Sequence, residues 1–204
     1  MTGPSVWIPI NEISTKQLQV ILKRALKKIT KLDVASKLKI NNYEPEDILL
    51  FRKQCKNTKL RNIYFRLIHN DFFSQERMYR FKMVTSNKCS RCNEIEDNKH
   101  LMWECSEVKT LWSCYNTVIG QLGFYDSIVH QYEDIFKVEE NPVLSILKVK
   151  LIQLNIQIIR PKDWSLNKIK NVISEHRNIE QAIAIGRSDM NMHLKRWKSF
   201  EAIQ

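Results

Sequence analysis

Residues 87–112 read NKCSRCNEIEDNKHLMWECSEVKTLW, and within them Cys89, Cys92, His100 and Cys105 stand in the spacing C-x2-C-x7-H-x4-C. Two cysteines two residues apart let one tight turn aim both sulfurs at a single point. The later histidine and cysteine then complete a tetrahedron of three thiolates and one imidazole, the closed ligand set of a structural zinc ion. Soft thiolates select zinc over hard cations. With all four positions filled by protein, no place remains for an activated water, so the ion is expected to act as a clamp and not as a catalyst. Free thiols and a surface histidine falling together by chance is the bland alternative. Cys89-Ser-Arg-Cys92 could also be a redox pair, but that motif belongs where a strand enters a helix in a βαβ unit, and no such pattern surrounds it. Five cysteines in all, an odd number, and no apparent secretory signal argue against a disulfide framework. Cys55 and Cys114 fall outside the spacing and read as ordinary buried thiols.

Outward from this stretch the chain reads as mainly α: a helical domain with a small zinc-stapled loop. Among 204 residues there are only 4 glycines and 5 prolines, and apolar residues recur at helical spacing. Three regions follow: a basic helical region over 1–86, the zinc-binding segment over 87–124 and a C-terminal helical region over 125–204. Ser14 begins a capping box with Gln17 and opens a helix carrying Leu18, Leu22, Ala25, Leu26 and Ile29. Pro45, followed by Glu46 and Asp47, suits a first helical turn, and KLRNIYFRLIHN gives another helix. Ser74 can cap a helix through Phe81. Ser106 can cap one bearing Val108, Leu111, Trp112, Tyr115, Val118 and Ile119, with Gly120 and Gly123 as stop signals. Pro142 opens an apolar segment read as helix. Ser165 starts a long helix with Ile169, Val172, Ile173, His176, Ile179, Ala182 and Ile183 on one face, fading near Gly186 and resuming through Trp197. The longest apolar run, Val143 to Ile159, is broken by Lys148, Lys150 and three amides, so no membrane span is expected.

The net charge of +11 is unevenly distributed. Lys16 to Arg91 holds 19 basic and 6 acidic residues, Cys92 to Leu147 holds 3 and 10, and Lys148 onward holds 11 and 5. A basic region of this kind meets phosphate, because neutralising phosphates releases condensed counterions; solvated helix faces are the bland alternative. The expected phosphate contacts are Lys23, Arg24, Lys27, Lys28, Arg52, Lys53, Lys56, Lys59, Arg61, Arg66, Arg77, Arg80, Lys82, Lys88 and Arg91, and Tyr64, Phe72, Phe73 and Tyr79 are candidates for stacking on unpaired bases.

The run IYFRLIHNDFFSQERMYRFKMVTSNKCSRCNEIEDNKHLMWECSEVKTLW resembles the zinc-binding segment near the C-terminus of non-LTR (LINE-type) retrotransposon reverse transcriptases. The resemblance rests on RLIHN, Cys89, Cys92, the acidic Glu96-Asp97, His100-Leu101, Cys105 and Leu111-Trp112, and covers about fifty residues. It implies a region downstream of the polymerase thumb that binds template RNA and target DNA during target-primed reverse transcription. RNA or DNA and the polymerase core of the same polyprotein would be its partners, in the nucleus and cytoplasm. It also implies a non-catalytic segment. No adjacent Asp-Asp pair supplies polymerase metal ligands, and the nuclease-like PED (45–47) and RPKDW (160–164) lack companion carboxylates and read as a helix start and a turn. A zinc-stabilised protein-interaction scaffold is the alternative, docking through the acidic region or through a C-terminal tail bearing Trp197 and Phe200.

Overall fold

Asn57, Ser74, Asn141 and Ser165 each place a side-chain oxygen on a backbone N–H of the turn that follows, and each starts a helix. The computed structural model describes residues 45–157 and 163–201, all within one unit, Tyr43–Gln204. Its helices are α1 (Pro45–Gln54), α2 (Thr58–Ile68), α3 (Gln75–Arg80), a π-turn (His100–Glu104), α4 (Ser106–Gln121), α5 (Pro142–Asn155), α6 (Leu166–Gly186) and α7 (Met190–Trp197), with short 3-10 turns between and after them. Among the described residues the only β pairing is a single antiparallel bridge, Lys88 to Ile95. The mainly α expectation is met. The predicted helix from Ser14 and its basic face, Lys23, Arg24, Lys27 and Lys28, lie outside the described residues, as do residues 160–162 of RPKDW.

Each long helix buries a stripe. In α2 it is Leu60, Tyr64, Leu67 and Ile68, and in α4 the six residues expected from the sequence. Helix α2 packs on α5, α4 on α6, and α6 on α7, and one apolar cluster runs from Phe51 to Phe200. Gly123 ends α4: at φ +81 its N–H reaches the Gly120 carbonyl at 3.0 Å, and Phe124 N–H reaches Ile119 at 3.1 Å, a Schellman closure that favours glycine.

Four details differ from the sequence expectation. Ser106 is the first residue of α4 and not its cap; Cys105 holds that position. Gly120 continues the helix. In α6 the buried stripe passes through Val172, His176 and Ala184, while Ile179, Ala182 and Ile183 are exposed. The helix is turned there to face α7, which returns across it and packs Trp197 against His176. Trp197 and Phe200 are therefore core residues and not an interaction tail.

Two polar clusters are built into this packing. Lys148, 1 % exposed, pairs with Glu139 at 2.6 Å and donates to the carbonyls of Asp134 and Lys137 at 2.8 Å each. Ser127 Oγ donates to Glu139 Oε2 at 3.0 Å, and Ser145 Oγ accepts from the Glu139 N–H at 2.7 Å. Burial pulls the Lys148 amine down and the charge of Glu139 opposes that shift. In the second cluster Glu180 accepts from Trp197 Nε1 at 2.8 Å and from Arg196 at 3.2 Å, with His176 Nε2 3.6 Å away, longer than a hydrogen bond. Burial pushes the Glu180 carboxyl up, but His176, the Trp197 N–H and Arg196 outweigh it and hold the group at about 2. A depressed carboxyl contributes stability above its unfolded value near 4.5 and loses it as pH falls toward about 2. Wild-type protein should lose about 3 kcal/mol more than Glu180→Gln across that window, read by denaturant titration at stepped pH; parallel losses would show that Glu180 is solvated.

Candidate metal centre

The segment before the π-turn is a knuckle. Cys89 N–H bonds the Glu94 carbonyl at 2.7 Å, Asn93 N–H bonds the Cys89 carbonyl at 2.9 Å, and Glu96 N–H bonds Asn87 at 3.0 Å. Asn93 sits at φ +66, a left-handed conformation that Asn tolerates better than most residues, and this lets the chain double back within five residues of Cys89. The other half is set by Asp97, whose Oδ1 accepts from the His100 N–H at 2.7 Å in the manner of a helix N-cap. The helical chain then widens into a π-turn, and the N–H of Cys105 closes on the His100 carbonyl at 3.1 Å, an i to i+5 bond. That wide turn accounts for four residues between histidine and cysteine: it returns Cys105 beneath His100.

The four donor atoms all lie within 4.8 Å of one another. Cys89 Sγ to Cys105 Sγ and Cys105 Sγ to Cys92 Sγ are both 3.9 Å, and Cys92 Sγ to His100 Nε2 is 3.2 Å. A tetrahedral zinc with bonds of about 2.3 Å to sulfur and 2.0 to 2.1 Å to nitrogen sets its sulfurs about 3.8 Å apart and sulfur from nitrogen about 3.6 Å. The sulfur edges fit this and the Cys92–His100 edge is slightly tight. Cys89, His100 and Cys105 are buried and Cys92 half-buried. Burial, with the neighbouring Cys105 adding to it and a hydrogen bond from the Glu94 backbone opposing it, pushes the Cys92 thiol up to about 11. Three thiolates gathered this closely need a cation. The set can hold one metal ion, its donors select zinc, and zinc would act there by tying the knuckle to the π-turn.

Residues 21–112 match a protein-family model described as zinc-binding in reverse transcriptase. That stretch, which contains the four-donor cluster, is thus similar to the accessory zinc-binding segment found in reverse transcriptases. No curated protein and no solved structure matches the chain.

Other ties to this zinc-binding segment have little sequence signal. Trp112 Nε1 donates to the Met102 carbonyl at 2.9 Å, and Asn155 Nδ2, at the end of α5, donates to Leu101 at 2.7 Å. Arg91 turns inward from the knuckle and gives Nη1 to Asn155 Oδ1 at 2.6 Å, while its Nε and Nη2 are enclosed. On the other side the Glu96 carbonyl accepts from Glu76 N–H at 3.0 Å and its carboxylate from Gln75 N–H at 3.1 Å, so the loop holds the start of α3. An aspartate three residues before a histidine is a legible cap signal; nothing in the polar loop singles out Glu96.

The remaining basic residues divide by exposure. Arg52, Lys53, Lys56, Lys59, Arg80, Lys82 and Lys88 are exposed, and Arg61, Arg66 and Arg77 are half-buried. Arg77 pairs with Asp71, and Arg66 donates to the Asp71 carbonyl at 2.8 Å. Of the stacking candidates, Tyr64 and Phe72 are core, whereas Phe73 and Tyr79 are exposed. Cys55 is buried as expected and Cys114 only half-buried; burial raises both thiols. Among the described residues no helix is long and apolar enough to cross a membrane.

Proposed function

We propose that the chain acts as a non-catalytic nucleic-acid-binding module of a non-LTR retrotransposon reverse transcriptase, supporting template RNA and target DNA in target-primed reverse transcription in the nucleus and cytoplasm. The observation that carries the reading is the exposed cation set. Between Arg52 and Arg91 there are eleven basic residues and two acidic ones, Asp71 and Glu76, and seven of the cations are free of the core. Their side chains project from α1, α2, α3 and the approach to the loop of Cys89 and Cys92, within the stretch that matches the zinc-binding family model. Binding through phosphates has a fixed signature: with about six phosphates neutralised, affinity for structured RNA should fall about a thousandfold between 50 and 200 mM salt. Filter binding across that range tests this, and charge reversal at Lys53, Lys56 and Lys59, three of about six contacts, should remove about half of the slope. A flat salt series, or no binding to RNA or DNA, overturns the proposal and leaves the scaffold reading, which the exposed Ile179, Ile183, Met192 and Leu194 favour.

A further inference from the structure

Helix α3 buries none of its side chains fully. It is nonetheless fixed at its start by the Glu96 bonds and by Ser74, whose hydroxyl accepts from Arg77 N–H at 3.4 Å. Around it stand rings that the core does not take: Phe73 is 52 % exposed, Tyr79 49 % and Phe81 62 %. Phe73 lies between the two arms of the surface, with the Arg66 guanidinium from α2 5.7 Å from its ring centroid and Arg77 from α3 at 5.2 Å. Phe81 follows Arg77 by one turn, its N–H on the Arg77 carbonyl at 3.2 Å. Arg80 and Lys82 flank it, both exposed.

Exposed rings interleaved with cations on and beside a short, tethered helix match the chemistry of unpaired nucleotides. Every base offers a π face for stacking, whatever its sequence, while the phosphates between bases meet the cations. Duplex nucleic acid hides those faces in its own stack. We propose that Phe73, Tyr79 and Phe81, with Arg80 and Lys82, form a stacking platform for single-stranded RNA or DNA, held out from the fold by the zinc-binding loop through Glu96. This rests on the nucleic-acid reading above and narrows it to unpaired strands. A protein partner covering the same rings is the competing occupant; the excess of basic residues around them favours a polyanion.

The test uses the full chain, zinc-loaded, with an oligouridylate of about 20 nucleotides and a duplex of equal length. Tyr79→Ala/Phe81→Ala should weaken single-strand binding by about a hundredfold, roughly tenfold per ring, and change duplex binding less than twofold. Phe81→Trp should restore most of its share. A 2-aminopurine placed in the strand should lose fluorescence on binding wild type and less on binding the double variant, a signature that charge alone does not produce. Zinc content equal to wild type shows that the variants keep the loop. Unchanged single-strand affinity in the double variant, or equal losses for strand and duplex, overturns the platform while steep salt dependence leaves the broader reading standing. Wild type that binds neither overturns both.

Discussion

Replacing Cys105 with serine should lower bound zinc from about one ion per chain to a trace, as should Cys92→Ser, while Cys55→Ser and Cys114→Ser keep the full complement. The loop between Cys92 and His100 has Ile95 as its one apolar residue and exposes it, so it has little apolar area with which to hold itself. Structural zinc contributes about 10 to 16 kcal/mol in isolated fingers, far more than the few hydrogen bonds of this knuckle. Without the ion the π-turn should open, Glu96 should release α3, and the first turn of α4 should fray. The packed core of α4, α5 and α6 should persist. Elemental analysis of the purified variants measures the metal, and hydrogen exchange locates the loosening. Undiminished zinc in the Cys105 variant would show that the ligands are wrongly chosen, and protection lost evenly across all helices would show that the loop is not a separate clamp.

Lys148→Met should cost about 3 to 5 kcal/mol, because it keeps the side-chain volume but strands the buried Glu139 carboxylate. Glu139→Gln should cost less, since an amide can still accept from Lys148 and Ser127. The double variant Lys148→Met/Glu139→Leu should be more stable than Lys148→Met alone, with its residual loss coming from the carbonyls of Asp134 and Lys137 and the hydroxyl of Ser127 left unpaired, while Ser145 keeps the backbone N–H of residue 139. Urea unfolding of these three proteins, together with Glu139→Leu to close the cycle, measures each value and the coupling. A Lys148→Met protein as stable as wild type would mean that the pair is open to water.

The helices and the ligand spacing were legible because both depend on local chemistry. Ser74 and Ser165 declare helix starts by residue type, and four metal donors in a short loop declare themselves by spacing. What stayed hidden depends on partners distant in the chain. Lys148 reads as an interruption of an apolar run, and only the return of Glu139 beside it explains a lysine in the core. Arg91 counts as one more cation until Asn155, 64 residues on, draws it inward. Phe72, Phe73 and Phe81 look equivalent in sequence, yet only Phe72 is buried, beside the tethered start of α3. Ile179 and Ile183 obey helical periodicity, yet α7 takes the adjacent stripe of α6.

Cys105 joins three structures in one residue: its N–H closes the π-turn, its sulfur joins the donor set, and its carbonyl accepts the first bonds of α4, from Val108 and Lys109 at 2.9 Å. Sixteen residues of helix extend from that point, a rod about 24 Å long at 1.5 Å per residue. A tilt of about 10° at its base would swing the far end by about 4 Å, the width of a methyl-to-methyl contact. The ion therefore works at the short arm of a lever whose long arm, through Tyr115, Val118 and Ile119, aims at the middle of the protein.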